Sequence, residues 1–199
     1  MIKNIIFDIG DVLISYRWKE LLMEYTNNDE TATKMGLAVL DDPKWRDMDK
    51  GLISYKELIE HYLRTYPEHR DMITYFFNHA DELQLPRPTL YPLIDKLFEK
   101  GYKIYILSNY CNELYNMHTT VIPFLDRVDG KVISCNVKMI KPEPEIYQYI
   151  LNTYNLTPDE CIFFDDKKEN VEAAISAGIH AVQTVTVSDI EAQVRNLLA

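Results

Sequence analysis

The stretch IIFDIGDVLISY, residues 5–16, sets Ile5, Ile6 and Phe7 ahead of a single acid, Asp8, and turns at Gly10. A short apolar run of this kind reads as a strand buried on both faces. A carboxylate at the end of such a strand costs free energy unless something compensates it. Asp8 either opens a turn, as aspartate commonly does, or is held there for chemistry. The rest of the chain has to decide.

Four further β-branched or aromatic runs follow, each bounded by turn residues: YKIYILSN (102–109), KVISC (131–135), CIFFDD (161–166) and HAVQTVTV (180–187). With KNIIFDI (3–9) they make five expected strands. Helical patterns lie between the later ones. TLYPLIDKLFEKG (89–101) places Leu90, Leu93, Ile94, Leu97 and Phe98 on one face, and Gly101 suits its stop. EIYQYILNTYN (145–155) and NVEAAISAG (170–178) repeat the pattern. Strand and helix in alternation predict an α/β fold with a parallel sheet covered on both faces.

One region breaks the alternation. From about Tyr16 to Leu85 the periodicity is helical with no strand signal, clearest in KELLMEY (19–25) and SYKELIEHYLRTY (54–66). Ser54 with Glu57 makes a capping box. LQLPRP (83–88) reads as a hinge, because two prolines stop a helix and stiffen a linker. The expected organisation is a core of residues 1–15 and 86–199, with residues 16–85 as a helical cap inserted after the first strand.

Composition narrows the function. The 199 residues include 31 acids and 21 bases, a formal net charge of −10, and no Lys/Arg-rich run, which argues against a nucleic-acid partner. An acidic protein that handles an anionic substrate needs a cation to bridge the two. Cys111, Cys135 and Cys161 lie far apart without metal-site spacing and read as reduced thiols. No apolar stretch approaches the roughly 18–20 residues of a membrane span. The opening MIKN runs straight into a strand without a signal-peptide pattern. The expectation is a cytoplasmic protein, a monomer or a weak homodimer.

In a parallel α/β sheet, residues just past the carboxyl ends of the strands gather in one crevice. Here those ends carry Asp8, Gly10 and Asp11, then Ser108 and Asn109, then Lys141 before Pro142, then Asp165 and Asp166. Each has a plain explanation. Ser108–Asn109 can begin a loop, Lys141 can be a solvated lysine, and Asp166 with Glu169 can cap a helix. Taken together they are a nucleophilic carboxylate, hydroxyl and amide donors, a cation and a carboxylate pair. Phosphoryl transfer through an aspartyl-phosphate needs that set.

Read in order, FDIGDVL, ILSN, IKPEPEIY and FFDDKKEN are similar to the four motifs of the haloacid dehalogenase-like hydrolase superfamily. Within it the chain resembles the group of α-D-glucose-1-phosphate phosphatase and the phosphatase domain of soluble epoxide hydrolase. The resemblance implies a Rossmann-like core with a helical-bundle cap, and a Mg²⁺-dependent phosphatase acting on a small phosphorylated metabolite such as a sugar phosphate, a hexose 1-phosphate among them. It makes Asp8 the nucleophile and a metal ligand, Gly10 a carbonyl ligand, Asp166 a direct ligand, and Asp165 a ligand or its support. Ser108 and Asn109 would hold phosphoryl oxygens, Lys141 would neutralise their charge, and Asn170 would steady the metal shell or solvate a helix turn.

One departure stands out. Most of the superfamily carries an acid/base aspartate two residues after the nucleophile, where this chain has Gly10. Asp11 either replaces it or braces the turn. Trp45, Arg46, Asp47 and Lys50 are the candidates to face a polyol, although Trp45 also reads as a core residue; His118 reads as structural. Two other functions fit parts of the pattern. A 2-haloacid dehalogenase would leave Asp165 and Asp166 idle, and a non-catalytic phosphoryl-binding protein similar to a receiver domain would explain the missing acid.

Overall fold

The computed structural model describes residues 1–199. β1 (Asn4–Phe7) is followed by a short β2 (Ile14–Tyr16) and five helices, α1 (Trp18–Thr26), α2 (Asp29–Leu40), α3 (Pro43–Asp49), α4 (Tyr55–Thr65) and α5 (Arg70–Asn78). The chain returns through β3 (Gln84–Pro86) to α6 (Tyr91–Glu99), β4 (Lys103–Ser108) and α7 (Asn112–His118). Then come β5 (Gly130–Ile133), α8 (Ser134–Val137), α9 (Pro144–Thr153), β6 (Cys161–Asp165), α10 (Lys168–Ser176), β7 (His180–Gln183) and α11 (Val187–Leu198).

Five strands form one parallel sheet in the order β5-β4-β1-β6-β7. The period of two along β1 sends successive side chains to opposite faces. Ile5 and Phe7 join one core with Leu93, Ile94 and Leu97 of α6 and Val194 of α11. Ile6 joins the other, with Ile146 and Ile150 of α9 and Ala174 of α10. Both faces are covered, which is why the strands read as unbroken apolar runs.

Register brings the site together. Phe7 lies opposite Ile106 on one side and Phe164 on the other, so the ends of β1, β4 and β6 are level. Asp8 continues the ladder by one bond, its N–H donating to the Phe164 carbonyl at 3.0 Å.

Three expectations need correction. LQLPRP is not an unpaired hinge: β3 pairs antiparallel with β2, Tyr16 opposite Gln84 and Ile14 opposite Pro86, so the two crossings into the helical insertion are tied together. Proline is tolerated because this ribbon has only two strands and hence free edges. HAVQTVTV is a strand only to Gln183; Thr186 and Asp189 form a capping box that starts α11. Asp166 and Glu169 form no such box, since Lys167 is the N-cap of α10 and no side chain caps it. The Ser54–Glu57 box does open α4. Within the insertion, Leu21, Met48, Leu58, Tyr62 and Phe76 are buried and join the core that holds Phe7.

Candidate active site

Asp8 is buried, and its Oδ1 takes three partners: the Ile9 N–H at 2.8 Å, the Ser108 hydroxyl at 2.5 Å and the Lys141 ammonium at 2.9 Å. No partner is drawn to Oδ2. Burial raises the pKa of this carboxyl, Lys141 opposes the rise, and the nearby Asp165 charge adds to it.

Lys141 is only 3% exposed, which overturns the reading of a solvated lysine. Its Nζ also lies 2.6 Å from Asp165 Oδ2. Burial alone would lower its pKa, but Asp165 and Asp8 more than offset that and hold it above the ordinary lysine value. Asn109 fixes the backbone at this point: Oδ1 accepts from the Lys141 N–H at 2.9 Å and Nδ2 donates to the Lys141 carbonyl at 3.0 Å. The Asn109 side chain is therefore spent on positioning Lys141 rather than offered to a phosphoryl group.

The two neighbouring acids on β6 differ. Asp165 is fully buried with both oxygens committed: Oδ1 accepts from the Lys167 N–H and from Asn170 Nδ2, each at 2.9 Å, and Oδ2 faces Lys141. Asp166 is half-buried, with no hydrogen bond or ion pair on its side chain. Burial first, then the charges of Asp8 and Asp165, push its pKa up to about 7.

Asp8, Asp165 and Asp166 each bring a carboxylate oxygen within 4.8 Å of the others. Hard oxygen donors of this kind suit a divalent cation such as Mg²⁺. The oxygens still open are those of Asp166 and Asp8 Oδ2, and no backbone hydrogen bond is spent on the Gly10 carbonyl. The donor set fits a cation held by Asp8, Gly10 and Asp166, with Asp165 as the buttress that orients Lys141 and Asn170.

A cavity of about 280 Å³ opens over these groups. Its lining includes Trp18, Trp45 and Asp49 from the insertion, together with Tyr16, Tyr110 and His118. Trp45 lines the cavity and stacks on Phe77 with ring centroids 6.5 Å apart. Arg46, Asp47 and Lys50 do not face it. Arg46 and Lys50 reach Glu143 at 3.1 and 2.7 Å, and Asp47 pairs with Lys44 at 2.8 Å. Trp45 and Asp49 are four apart on α3 and share a face, whereas Arg46 and Lys50 share the next. That spacing is the signal that could have found Asp49.

Asp11 braces the turn. It sits in the left-handed region at φ +50°, which aspartate tolerates, and its Oδ1 accepts from the Tyr16 N–H at 3.1 Å. A Cβ built on Gly10 meets the Tyr16 ring at 2.9 Å, so the Tyr16 side chain occupies the room beside Gly10. The Tyr16 hydroxyl meets Tyr110, and both hydroxyls face His118 Nδ1, at 3.5 and 3.3 Å. His118 Nε2 lies 2.8 Å from the Ala80 carbonyl and so carries the proton.

The family model for haloacid dehalogenase-like hydrolases matches residues 2–178, and the chain belongs to that family. It is 29% identical to mouse acyl-CoA dehydrogenase family member 10 over 207 residues, covering 99% of this chain and 19% of that protein. It therefore spans about a fifth of the mouse protein's length. It is 24% identical to D-ribitol-5-phosphate phosphatase of Bacteroides thetaiotaomicron, with 95% of each chain covered. A haloacid dehalogenase family enzyme of that organism, solved with magnesium and inorganic phosphate, superposes with a TM-score of 0.69 at 24% identity, covering 92% of this chain and 94% of the other. No helix is long and apolar enough to cross a membrane.

Proposed function

We propose that this protein is a Mg²⁺-dependent phosphatase of small phosphorylated sugars or polyols, a hexose 1-phosphate among them, working through an aspartyl-phosphate on Asp8. The observation that carries the reading is the treatment of Asp8. Three donors fix one carboxylate oxygen and hold the whole group in a single orientation beside the unpaired Asp166. Fixing a nucleophile this way supplies orientation before the substrate arrives.

Asp8, Gly10 and Asp166 would hold Mg²⁺, which when bound neutralises the repulsion between the carboxylate and an incoming phosphate. Lys141 and Ser108 stand beside the Asp8 carboxylate; the ammonium has protons to spare for phosphoryl oxygens as charge spreads over them, and the Ser108 hydroxyl can donate there once it turns from Asp8. The helical insertion, residues 16–85, acts as a cap over the core, with Trp45 available to a sugar ring. The similarity to a ribitol-phosphate phosphatase and the volume of the cavity favour a substrate of that size. Three free, buried cysteines suit a reducing compartment such as the cytoplasm.

The test is hydrolysis of p-nitrophenyl phosphate, followed by EDTA and then restored Mg²⁺, and a screen of phosphorylated sugars and polyols. Turnover that vanishes and returns supports the reading. Absence of any turnover favours a phosphoryl-binding protein, and turnover of 2-haloacids that persists in EDTA favours a dehalogenase.

A further inference from the structure

The mechanism above leaves one proton without an owner. Breaking the P–O bond releases an alkoxide, and Gly10 offers no side chain to protonate it. Several of the other lining groups are already engaged. Asp11 is turned onto the Tyr16 N–H, Lys141 is locked between Asp8 and Asp165, and His118 spends its one N–H on Ala80. Tyr110 is fully enclosed, and burial raises its hydroxyl well above the ordinary tyrosine value, which makes it a poor acid.

Asp49 remains. It ends α3, and its backbone is anchored to the core by the Ser134 hydroxyl, which donates to the Asp49 carbonyl at 2.5 Å. Gly51, at φ +70°, turns the chain two residues later, where a Cβ would come within 2.6 Å of the Cys135 carbonyl. Asp49 lines the same cavity as Asp8 and Asp166.

Resting on the phosphatase reading, we propose that Asp49, supplied by the insertion, is the general acid and base of this site. In the first step an Asp8 oxygen bonds to phosphorus, the bond from phosphorus to the leaving oxygen breaks, and the Asp49 proton passes to that oxygen to give the free alcohol. In the second, the Asp49 carboxylate takes a proton from water as the water oxygen bonds to phosphorus. The bond from phosphorus to Asp8 then breaks, releasing inorganic phosphate.

The surroundings suit this task. Burial chiefly pushes the Asp49 carboxyl up to about 7; Lys167, the Cys111 N–H and Lys141 pull against it, while Asp8 adds to it. A group poised near the working pH can both give and take a proton. A cap-borne acid also ties chemistry to closure, because an open insertion withdraws it. Leaving groups poorer than an anomeric hydroxyl then come within reach.

The test compares Asp49→Asn with the wild type on two aryl esters in Mg²⁺, by rapid quench. Phenyl phosphate has the poorer leaving group and depends on the acid; p-nitrophenyl phosphate depends on it much less. The expected loss in the phosphorylation step is at least about a hundredfold on phenyl phosphate and under about tenfold on p-nitrophenyl phosphate. The phosphorylated protein should accumulate, as seen by intact mass, because water attack has lost its base. Equal losses on the two esters, or none, overturn the proposal, as does finding the selective loss in Tyr16→Phe instead. Should Asp49→Asn fail to fold, the wild type alone decides. The ratio of kcat/KM for phenyl to p-nitrophenyl phosphate should fall as pH rises through about 7, and a flat ratio overturns the assignment. A wild type inert on both esters removes the phosphatase reading itself, and this inference with it.

Discussion

Lys141 Nζ lies 2.6 Å from Asp165 Oδ2, with neither side chain exposed to solvent by more than 1%. A pair buried this deeply is held by its geometry. Removing one partner leaves an uncompensated charge and costs about 3–5 kcal/mol. Lys141→Met is therefore expected to lower unfolding free energy by about 3 kcal/mol and to cut turnover at least about a hundredfold, since the same ammonium faces Asp8. Chemical denaturation with a parallel assay checks both. Asp8→Asn should abolish turnover, and near-normal activity in that variant would end the nucleophile assignment.

Asp166 should burden the metal-free fold at neutral pH and above. Its folded pKa is raised from 3.8 to about 7, so between those values the native protein holds more protons than the unfolded chain. Stability from this group falls as pH rises through that window and levels off above it. Asp166→Asn removes the burden, so the metal-free variant at pH 8 should melt no lower than the wild type. Mg²⁺ should raise the wild-type Tm more at pH 8 than at pH 5, and leave the Asp166→Asn Tm almost unmoved. Calorimetric scans with and without Mg²⁺ decide it. A variant still stabilised by Mg²⁺ to the wild-type extent would contradict the ligand set.

The strand ends were legible because apolar runs and their terminal polar residues are local facts. Asp8, Ser108 and Asp165 meet through parallel register, which follows once the runs are placed in one sheet, whereas Lys141 reaches them from the loop after α8, held there by Asn109. What stayed hidden depends on contacts between distant segments. Nothing local separates Asp165 from Asp166; their difference arises from Lys141 and Asn170. Asp49 was hidden because α3 spans only seven residues behind Pro43, too short for its periodicity to stand out. Arg46 and Lys50, which read as substrate-facing, are drawn away by Glu143 on the far side of the chain.

Glu143 links that insertion face to the loop carrying Lys141. Burial is the largest single effect and opposes ionisation, but Lys50 and Arg46 together outweigh it and hold the carboxyl below the usual range. An acid with a depressed folded pKa stabilises above its unfolded value, and that contribution disappears as pH falls through the folded value. Exposure screens the pair, so Glu143→Gln should cost no more than about 1 kcal/mol of global stability at pH 7. Its larger effect is expected on closure: KM should rise several-fold with kcat changing less. A KM equal to the wild type would show that this contact does not hold the insertion over the cavity.

Gly10 and Tyr16 compete for one space. Because a Cβ at position 10 meets the Tyr16 ring at 2.9 Å, Gly10→Asp forces the ring aside. Overpacking of this kind costs typically about 1–3 kcal/mol. The single variant should therefore lose stability and gain no activity, although it restores the aspartate usual in the superfamily. Gly10→Asp combined with Tyr16→Ala opens the room, and the pair should be less destabilised than the sum of the two single changes. Asp11→Ala, by contrast, removes a turn brace rather than a proton donor and should lower kcat by under about tenfold. A loss of about a hundredfold or more, the scale of a general acid, would place the proton on Asp11 and take it from Asp49. Steady-state kinetics on phenyl phosphate with thermal melts of all four variants separates these outcomes.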